Sequence, residues 1–251
     1  MAWVVDLDGV IWLADQPIPG SAEAVAALRQ RGVRLVFVTN NSSLRVADYV
    51  AKLAGMGVDA APEDVLTSAQ AAASLLEPGT SAVVCGGPGV TEALEERGVE
   101  PRRDGPADAV VVGWHRDFDF ARLTAAATAA RAGARLIGTN QDATYPTPDG
   151  LLPGAGSILA AVEVAAGVEA TVAGKPHPPI IELLRQRAGP IELVVGDRLD
   201  TDGALARALD APFGLVLSGV TRQAPEGSDQ RPAHVAVDLR ALAAQIEPAP
   251  R

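Results

Sequence analysis

Val4-Val5-Asp6-Leu7-Asp8-Gly9 opens the chain with an apolar run that stops on two carboxylates one residue apart. Such a run favours a strand, and in a strand alternate side chains share a side, so Asp6 and Asp8 are expected to leave together while Leu7 turns into the core. Two like charges held that close are unfavourable unless a cation or a shared proton stabilises them. The pair therefore predicts a divalent metal, Mg²⁺ by its preference for hard oxygen ligands shared with phosphate. The strand end becomes a candidate site of phosphoryl transfer.

Three later segments carry the same signature. Arg34-Leu35-Val36-Phe37-Val38 runs into Thr39-Asn40-Asn41, Thr171-Val172-Ala173-Gly174 into Lys175-Pro176, and Ile191-Glu192-Leu193-Val194-Val195 into Gly196-Asp197. Each is a short β-branched-rich run closing on a residue able to bind phosphate or metal. Short strands alternate with amphipathic helical stretches along the chain, the pattern of an α/β doubly wound parallel sheet. In an open parallel sheet the carboxyl ends of the strands share one edge and ligands bind in the crevice there, so residues distant in sequence are expected to become neighbours.

The ordered set Asp6-x-Asp8-Gly9, Thr39-Asn40-Asn41, Gly174-Lys175-Pro176 and Gly196-Asp197-Arg198-Leu199-Asp200-Thr201-Asp202 resembles the haloacid dehalogenase (HAD) superfamily. More narrowly it is similar to the NagD-type branch, phosphatases with a large cap inserted between the second and third motifs. The likeness covers nearly the whole chain, including Ile18-Pro19-Gly20 and the stretch from Thr139 to Ser157. It implies that Asp6 attacks phosphorus and forms an aspartyl-phosphate, a covalent step that splits one hard hydrolysis into two easier ones. Asp8 would give a proton to the leaving alcohol and later take one from water. Thr39, Asn40 and Asn41 would bind the phosphoryl oxygens, with Lys175 supplying fixed positive charge to Asp6 and the phosphate. Mg²⁺ would be held by Asp6, the carbonyl of Asp8 and Asp197, and Asp202 would orient Lys175 or metal-bound water. Turn and N-cap duty before a helix near Thr201 is compatible with these roles for Asp197 and Asp202.

Composition fits a soluble enzyme with a substantial core: 251 residues, 48% apolar, but only 4% aromatic, so that Ala, Val and Leu must build the interior. The net charge of −10 and the absence of any Lys/Arg run longer than two argue against nucleic acid or an anionic membrane as main partner. A phosphate substrate is still compatible, because charges beyond about 8 Å are screened at physiological salt. Cys85 is the single cysteine and sits in Ala82-Val83-Val84-Cys85, a strand-like run, so it is expected to be buried and unreactive. The first strand begins almost at Met1, leaving no room for a signal peptide, and no apolar stretch approaches the ~20 residues of a membrane span. A reducing cytoplasm is the expected setting.

Helices are expected at about 21–31, 45–56, up to 76, 91–97, 120–132 and 157–166. Pro78-Gly79 punctuates the chain, after which a second α/β series runs to the return at Thr171. The expected organisation is a HAD-like core of residues 1–77 and 171–251 with an inserted α/β cap of 78–170. The echo of Arg34 to Asn40 in Arg135 to Asn140 admits duplication, but convergent strand and turn chemistry is the favoured reading.

The stretch Thr139-Asn140-Gln141-Asp142-Ala143-Thr144-Tyr145-Pro146 is too polar and turn-rich for core, and by resemblance it is the cap surface facing the site. Asn140 and Asp142 are candidates for contact with the leaving group, with turn duty an equal alternative. Gly86-Gly87-Pro88-Gly89 lacks the ending of a P-loop and the spacing of a dinucleotide fingerprint, and is expected to be a tight βα turn. His115, His177 and His234 show no metal spacing, and Trp12 either lines the cleft or packs beneath the first loop. Residues Gln223 to Pro232 are expected to form a surface loop and Glu247 to Arg251 to fray. Gly203, Gln141 and the Trp114-His115 pair depart from the family pattern, the last two in the region that selects substrate.

The resulting expectation is a Mg²⁺-dependent phosphatase of small-molecule phosphate monoesters, with a cap able to mediate homodimerisation. A phosphotransferase or mutase of the same superfamily would keep all four motifs. A receiver-type signalling module would lack the Asp8 acid/base and the insertion, and a phosphate-binding protein would need no nucleophile.

Overall fold

The computed structural model describes residues 1–224 and 231–246. The C-terminal segment expected to fray and most of the loop expected at 223–232 lie outside the described residues.

Two parallel sheets organise the chain. The larger has six strands in the order His234–Ala236, Phe213–Val216, Ile191–Gly196, Ala2–Asp6, Arg34–Thr39 and Val65–Thr67. All of its pairings are parallel, with Val4 opposite both Val36 and Val194, so the ends of the three central strands come to one edge. The central strand is fully buried, as a sheet covered on both faces requires. Trp3, Val5 and Leu7 pack to one face with Val25, Leu28 and Leu53, while Ala2 and Val4 pack to the other with Leu66, Ile180 and Leu184. Ala, Val and Leu dominate these clusters, with Trp3, Trp12, Phe37 and Tyr49 as the largest buried aromatics. Each fully buried Leu or Val contributes roughly 1.5–3 kcal/mol by leaving water.

The second sheet has five parallel strands in the order Thr171–Val172, Arg135–Gly138, Ala109–Val112, Ser81–Cys85 and Glu100–Arg102. One face is covered by the helices Phe120–Arg131 and Ala155–Ala166 through Ala126, Ala130, Leu159 and Val162. The other face shares a continuous cluster with the larger sheet, joining Val4 and Val36 to Val111 and Ile137. The strand expected to return the chain to the core, Thr171–Val172, bonds instead along Ile137 and Gly138 at the edge of the second sheet, and the chain crosses to the core after it.

Several elements differ from expectation. The helix expected from Thr91 runs Pro88–Glu96, since Pro is well suited to a first turn where its missing N–H costs nothing. A wide π-type turn, Leu199–Gly203, precedes the short helix Ala204–Ala208, so the helix expected near Thr201 starts later. The polar stretch after Thr139 contains an antiparallel hairpin, Thr144–Thr147 with Gly150–Pro153, which its Pro residues and exposed Leu151 conceal from a search for alternation. Gly86-Gly87-Pro88-Gly89 is the expected turn between the strand ending at Cys85 and the helix beginning at Pro88. Its glycines admit a neighbour: a Cβ on Gly87 or Gly89 would strike the backbone of Ser43 or Leu44 from the larger domain. Gly89 N donates to Ser43 O at 3.2 Å, and Val46 N, at the start of the helix Val46–Gly55, donates to Glu92 Oε2 at 2.7 Å.

Candidate active site

The carboxyl ends of the three central strands deliver Asp6, Thr39 and Asp197 to one cleft, and the segment after Val172 brings Lys175 down from above. The cleft encloses about 480 Å³, part of it open to solvent, between the two sheets. At its floor Lys175 Nζ donates to Asp6 Oδ1 at 2.7 Å and to Asp202 Oδ1 at 2.6 Å. The lysine is placed by its own backbone: Asn40 accepts from Lys175 N at 2.8 Å through Oδ1 and donates to Lys175 O at 3.2 Å through Nδ2. Only a side-chain amide offers donor and acceptor in that geometry.

Asp197 is buried beside this group, and Oδ2 accepts from Val220 N while Oδ1 is buried with no partner among the described residues. Gly9, with φ of 85°, passes so close that a Cβ there would strike the Asp197 carboxylate, which couples the first motif loop to the last. Oxygens of Asp6, Asp197 and Asp202 lie within 4.8 Å of one another. Asp202 uses both oxygens, for Lys175 and for Arg198 N at 3.2 Å.

Three carboxylates and one ammonium leave an excess of negative charge in a site shut off from water. Burial pushes Asp6 well above the ordinary carboxylate range, against the pull of Lys175 and with the push of Asp202 and Asp197. Burial likewise raises Asp197, to about 7, with Asp202 adding to the effect. Burial works against the charge on Lys175, but Asp202 and Asp6 outweigh it and hold the ammonium above its usual value. Burial leads the rise of both carboxylates, and all three shifts also reflect neighbouring carboxylates that lack matching positive charge. A divalent cation would supply it, and the unpartnered Asp197 oxygen beside Asp6 offers it hard oxygen donors. The residues fit Mg²⁺.

Asp8 is held differently. Oδ1 accepts from Trp12 Nε1 and from Tyr145 OH, each at 3.0 Å, and Oδ2 accepts from Thr39 Oγ1 at 3.2 Å. Thr39 Oγ1 also accepts from Asn41 N at 3.0 Å. The Asn41 carboxamide turns to Ser43, taking N at 3.1 Å and Oγ at 2.7 Å, so Asn41 faces the cleft through its backbone. From above, Asn140 Nδ2 donates to Asn40 O at 2.6 Å, and both Asp142 oxygens accept from Asn40 Nδ2, at 3.2 and 3.1 Å. Asp142 N closes a turn onto Asn140 Oδ1 at 3.0 Å. Asn140 and Asp142 thus line the cleft with their polar groups already engaged, the turn duty weighed for them being plainly present.

Every residue singled out in the motifs lies at or directly beside this cleft. Eight residues outside the expected site set line it as well, among them Tyr145, Trp114, Arg198 and Thr144. An aromatic in an otherwise polar, turn-rich stretch was the available signal for Tyr145. Trp12 packs beneath the first loop, stacked on Tyr49 with centroids 6.5 Å apart, while its indole N–H turns to Asp8. His177 caps the start of the helix Pro178–Ala188 and does not line the cleft.

Comparison with known proteins agrees with this architecture. A haloacid dehalogenase-like hydrolase model matches residues 3–100 and a HAD-hydrolase-like model residues 172–242. The chain is 39% identical over 250 residues to D-glycerol 3-phosphate phosphatase of Mycobacterium tuberculosis, covering 95% of this chain and 70% of that protein. It is 33% identical over 254 residues to acid sugar phosphatase of Staphylococcus saprophyticus, covering 98% of each. A crystal structure of glycerol phosphate phosphatase from M. tuberculosis in complex with magnesium superposes with a TM-score of 0.87, at 38% identity over 96% of this chain and 75% of that one. The chain belongs to the haloacid dehalogenase-like hydrolase family, in its NagD-type branch. It is a phosphoric monoester hydrolase of that family.

Proposed function

We propose that the chain hydrolyses small-molecule phosphate monoesters with Mg²⁺, through an aspartyl-phosphate on Asp6. The observation that carries this reading is the floor of the cleft, where Asp6 is gripped at one oxygen by Lys175 and flanked by an Asp197 oxygen that has no partner among the described residues. With Oδ1 held by Lys175, Oδ2 of Asp6 is the oxygen aimed at phosphorus. Thr39, with backbone amides of Asn40 and Asn41, receives the non-bridging oxygens, and Lys175 offsets their charge. Asp8 protonates the departing alkoxide and then takes a proton from the water that opens the acyl-phosphate. Asp6, the Asp8 carbonyl and Asp197 would hold Mg²⁺, with Asp202 fixing Lys175. When bound, the ion neutralises the carboxylates and the phosphate and orients both for in-line attack.

Residues 78–170, extended by the strand to Val172, form the roof in this reading and select the leaving group. The named activities of the relatives suggest a polyol or sugar phosphate as the class of substrate. The reading includes association of two copies through the cap, which sedimentation equilibrium tests. Among the described residues no helix is long and apolar enough to cross a membrane.

The deciding experiment is release of inorganic phosphate from p-nitrophenyl phosphate with and without Mg²⁺, for wild type, Asp6→Asn and Asp8→Asn. Metal-dependent release that is abolished by Asp6→Asn and reduced by Asp8→Asn is expected. Wild-type rates in both variants would overturn the mechanism, and transfer to an added alcohol without net hydrolysis would make the enzyme a phosphotransferase.

A further inference from the structure

The cap reaches the acid–base carboxylate itself. Among the described residues Asp8 has no cationic partner within hydrogen-bond distance; its donors are the indole of Trp12, the phenol of Tyr145 and the hydroxyl of Thr39. They divide the carboxylate between them. Oδ1 is held by one group from the first loop of the core and one from the cap hairpin, while Oδ2 turns toward Thr39, where the phosphoryl group is read to bind.

Resting on the function proposed above, we propose that Tyr145 is a cap-borne positioning residue that, with Trp12, clamps Oδ1 of Asp8 so that Oδ2 faces the bridging oxygen of the ester. In that arrangement the proton on Oδ2 passes to the bridging oxygen as the P–O bond breaks, the bonding pair goes to that oxygen, and Asp6 forms the new P–O bond. A carboxyl turning freely about its last torsion would present Oδ2 only part of the time, and misplacement of a reacting group is costly in rate.

The supports of Tyr145 suit the role. Its ring packs on Trp114 with centroids 4.6 Å apart and planes tilted by 31°. Trp114 Nε1 donates to Pro153 O at 2.9 Å on the opposite strand of the hairpin, and Trp114 N donates to Ser42 Oγ of the core at 3.1 Å. A line of contacts therefore runs from the core through Trp114 and the hairpin to Tyr145 and back to Asp8. The phenol O–H donates to Asp8 Oδ1, so Tyr145 acts toward Asp8 as a donor. The acid is thus oriented by a part of the chain 137 residues away.

A positioning role for the acid has a signature that a general structural role lacks, since proton donation matters most for a basic leaving group and little for nitrophenolate. The test compares kcat and KM for p-nitrophenyl phosphate and phenyl phosphate in wild type, Tyr145→Phe, Trp12→Phe and Asp8→Asn. Tyr145→Phe is expected to lower kcat on both esters, by about tenfold more on phenyl phosphate, as a partial loss of a 10²–10⁴-fold acid contribution. Trp12→Phe should show the same bias independently. Equal losses on the two esters, or a change confined to KM, in Tyr145→Phe would overturn the proposal while leaving the mechanism standing if Asp8→Asn keeps the bias. Absence of bias in Asp8→Asn itself would overturn both.

Discussion

The floor of the cleft and its roof hold their carboxylates by opposite means. On the floor, Asp6 and Asp202 share the ammonium of Lys175 at 2.7 and 2.6 Å, deep beneath the edge of a parallel sheet. Toward the roof, Asp142 and the cap side of Asp8 are met by neutral groups, the buried carboxamide of Asn40 and indole of Trp12 from the core and the phenol of Tyr145 from the half-buried hairpin. Fixed charge needs a rigid, water-poor frame to be effective, and the strand ends provide one. Neutral hydrogen bonds tolerate water and rearrangement, which suits the surface a leaving group must enter and leave. In the proposed mechanism one sheet edge carries the chemistry while the inserted segment aims it.

The largest break in this contrast should follow from Lys175→Met, which leaves Asp6 and Asp202 without their cation. A fall in kcat of about 10²–10³-fold is expected, the usual cost of one electrostatic donor. Chemical unfolding in EDTA should show a loss of about 3 kcal/mol, because a broken buried pair strands its partner. Removal of metal comes next. Mg²⁺ at a hundred times its Kd should stabilise wild type by about 2.7 kcal/mol, visible as a rise in Tm. Asp197→Asn should lose that rise along with the metal-dependent activity.

Asn40→Asp tests the joint between floor and roof. The new carboxylate cannot donate to Lys175 O and faces Asp142, so a destabilisation of about 1–3 kcal/mol is expected in urea unfolding. Asn40→Ala should cost less, since it removes the amide without adding charge. The smallest effect concerns the sheet beneath the roof. Burial pushes the Cys85 thiol up to about 12, so the native protein should not react with a disulfide reagent at pH 8, whereas unfolded chain should react fully. Rapid native labelling would show that the sheet beneath the roof opens readily.

Asp6, Thr39 and Asp197 could be read from the sequence because each follows a short apolar run and parallel pairing brings such ends to one edge, whereas Asp202 lies in the turn after Arg198 and Lys175 follows a strand of the other sheet. The roof could not be read in the same way. Tyr145 lies in a hairpin whose prolines and exposed Leu151 break the alternation that marks a strand, and its partner Asp8 is reached only through the folded cap. Asn140 and Asp142 were visible as polar turn formers, but their grip on Asn40 depends on how two domains face each other, which local pattern does not encode. The pairing of Thr171–Val172 with Ile137 and Gly138 is of the same kind, a choice between two sheets with open edges.

The insertion is fastened at a third place besides its two covalent joints, where Ser43 and Leu44 occupy the notch left by Gly87 and Gly89 and Glu92 closes on Val46. This makes the two modules co-dependent in evolution and in engineering. A cap grafted from a relative would arrive with a notch shaped for another loop, so a working chimera must carry residues 42–46 along with the graft, and recombination that separates the two would yield a folded protein whose parts no longer register.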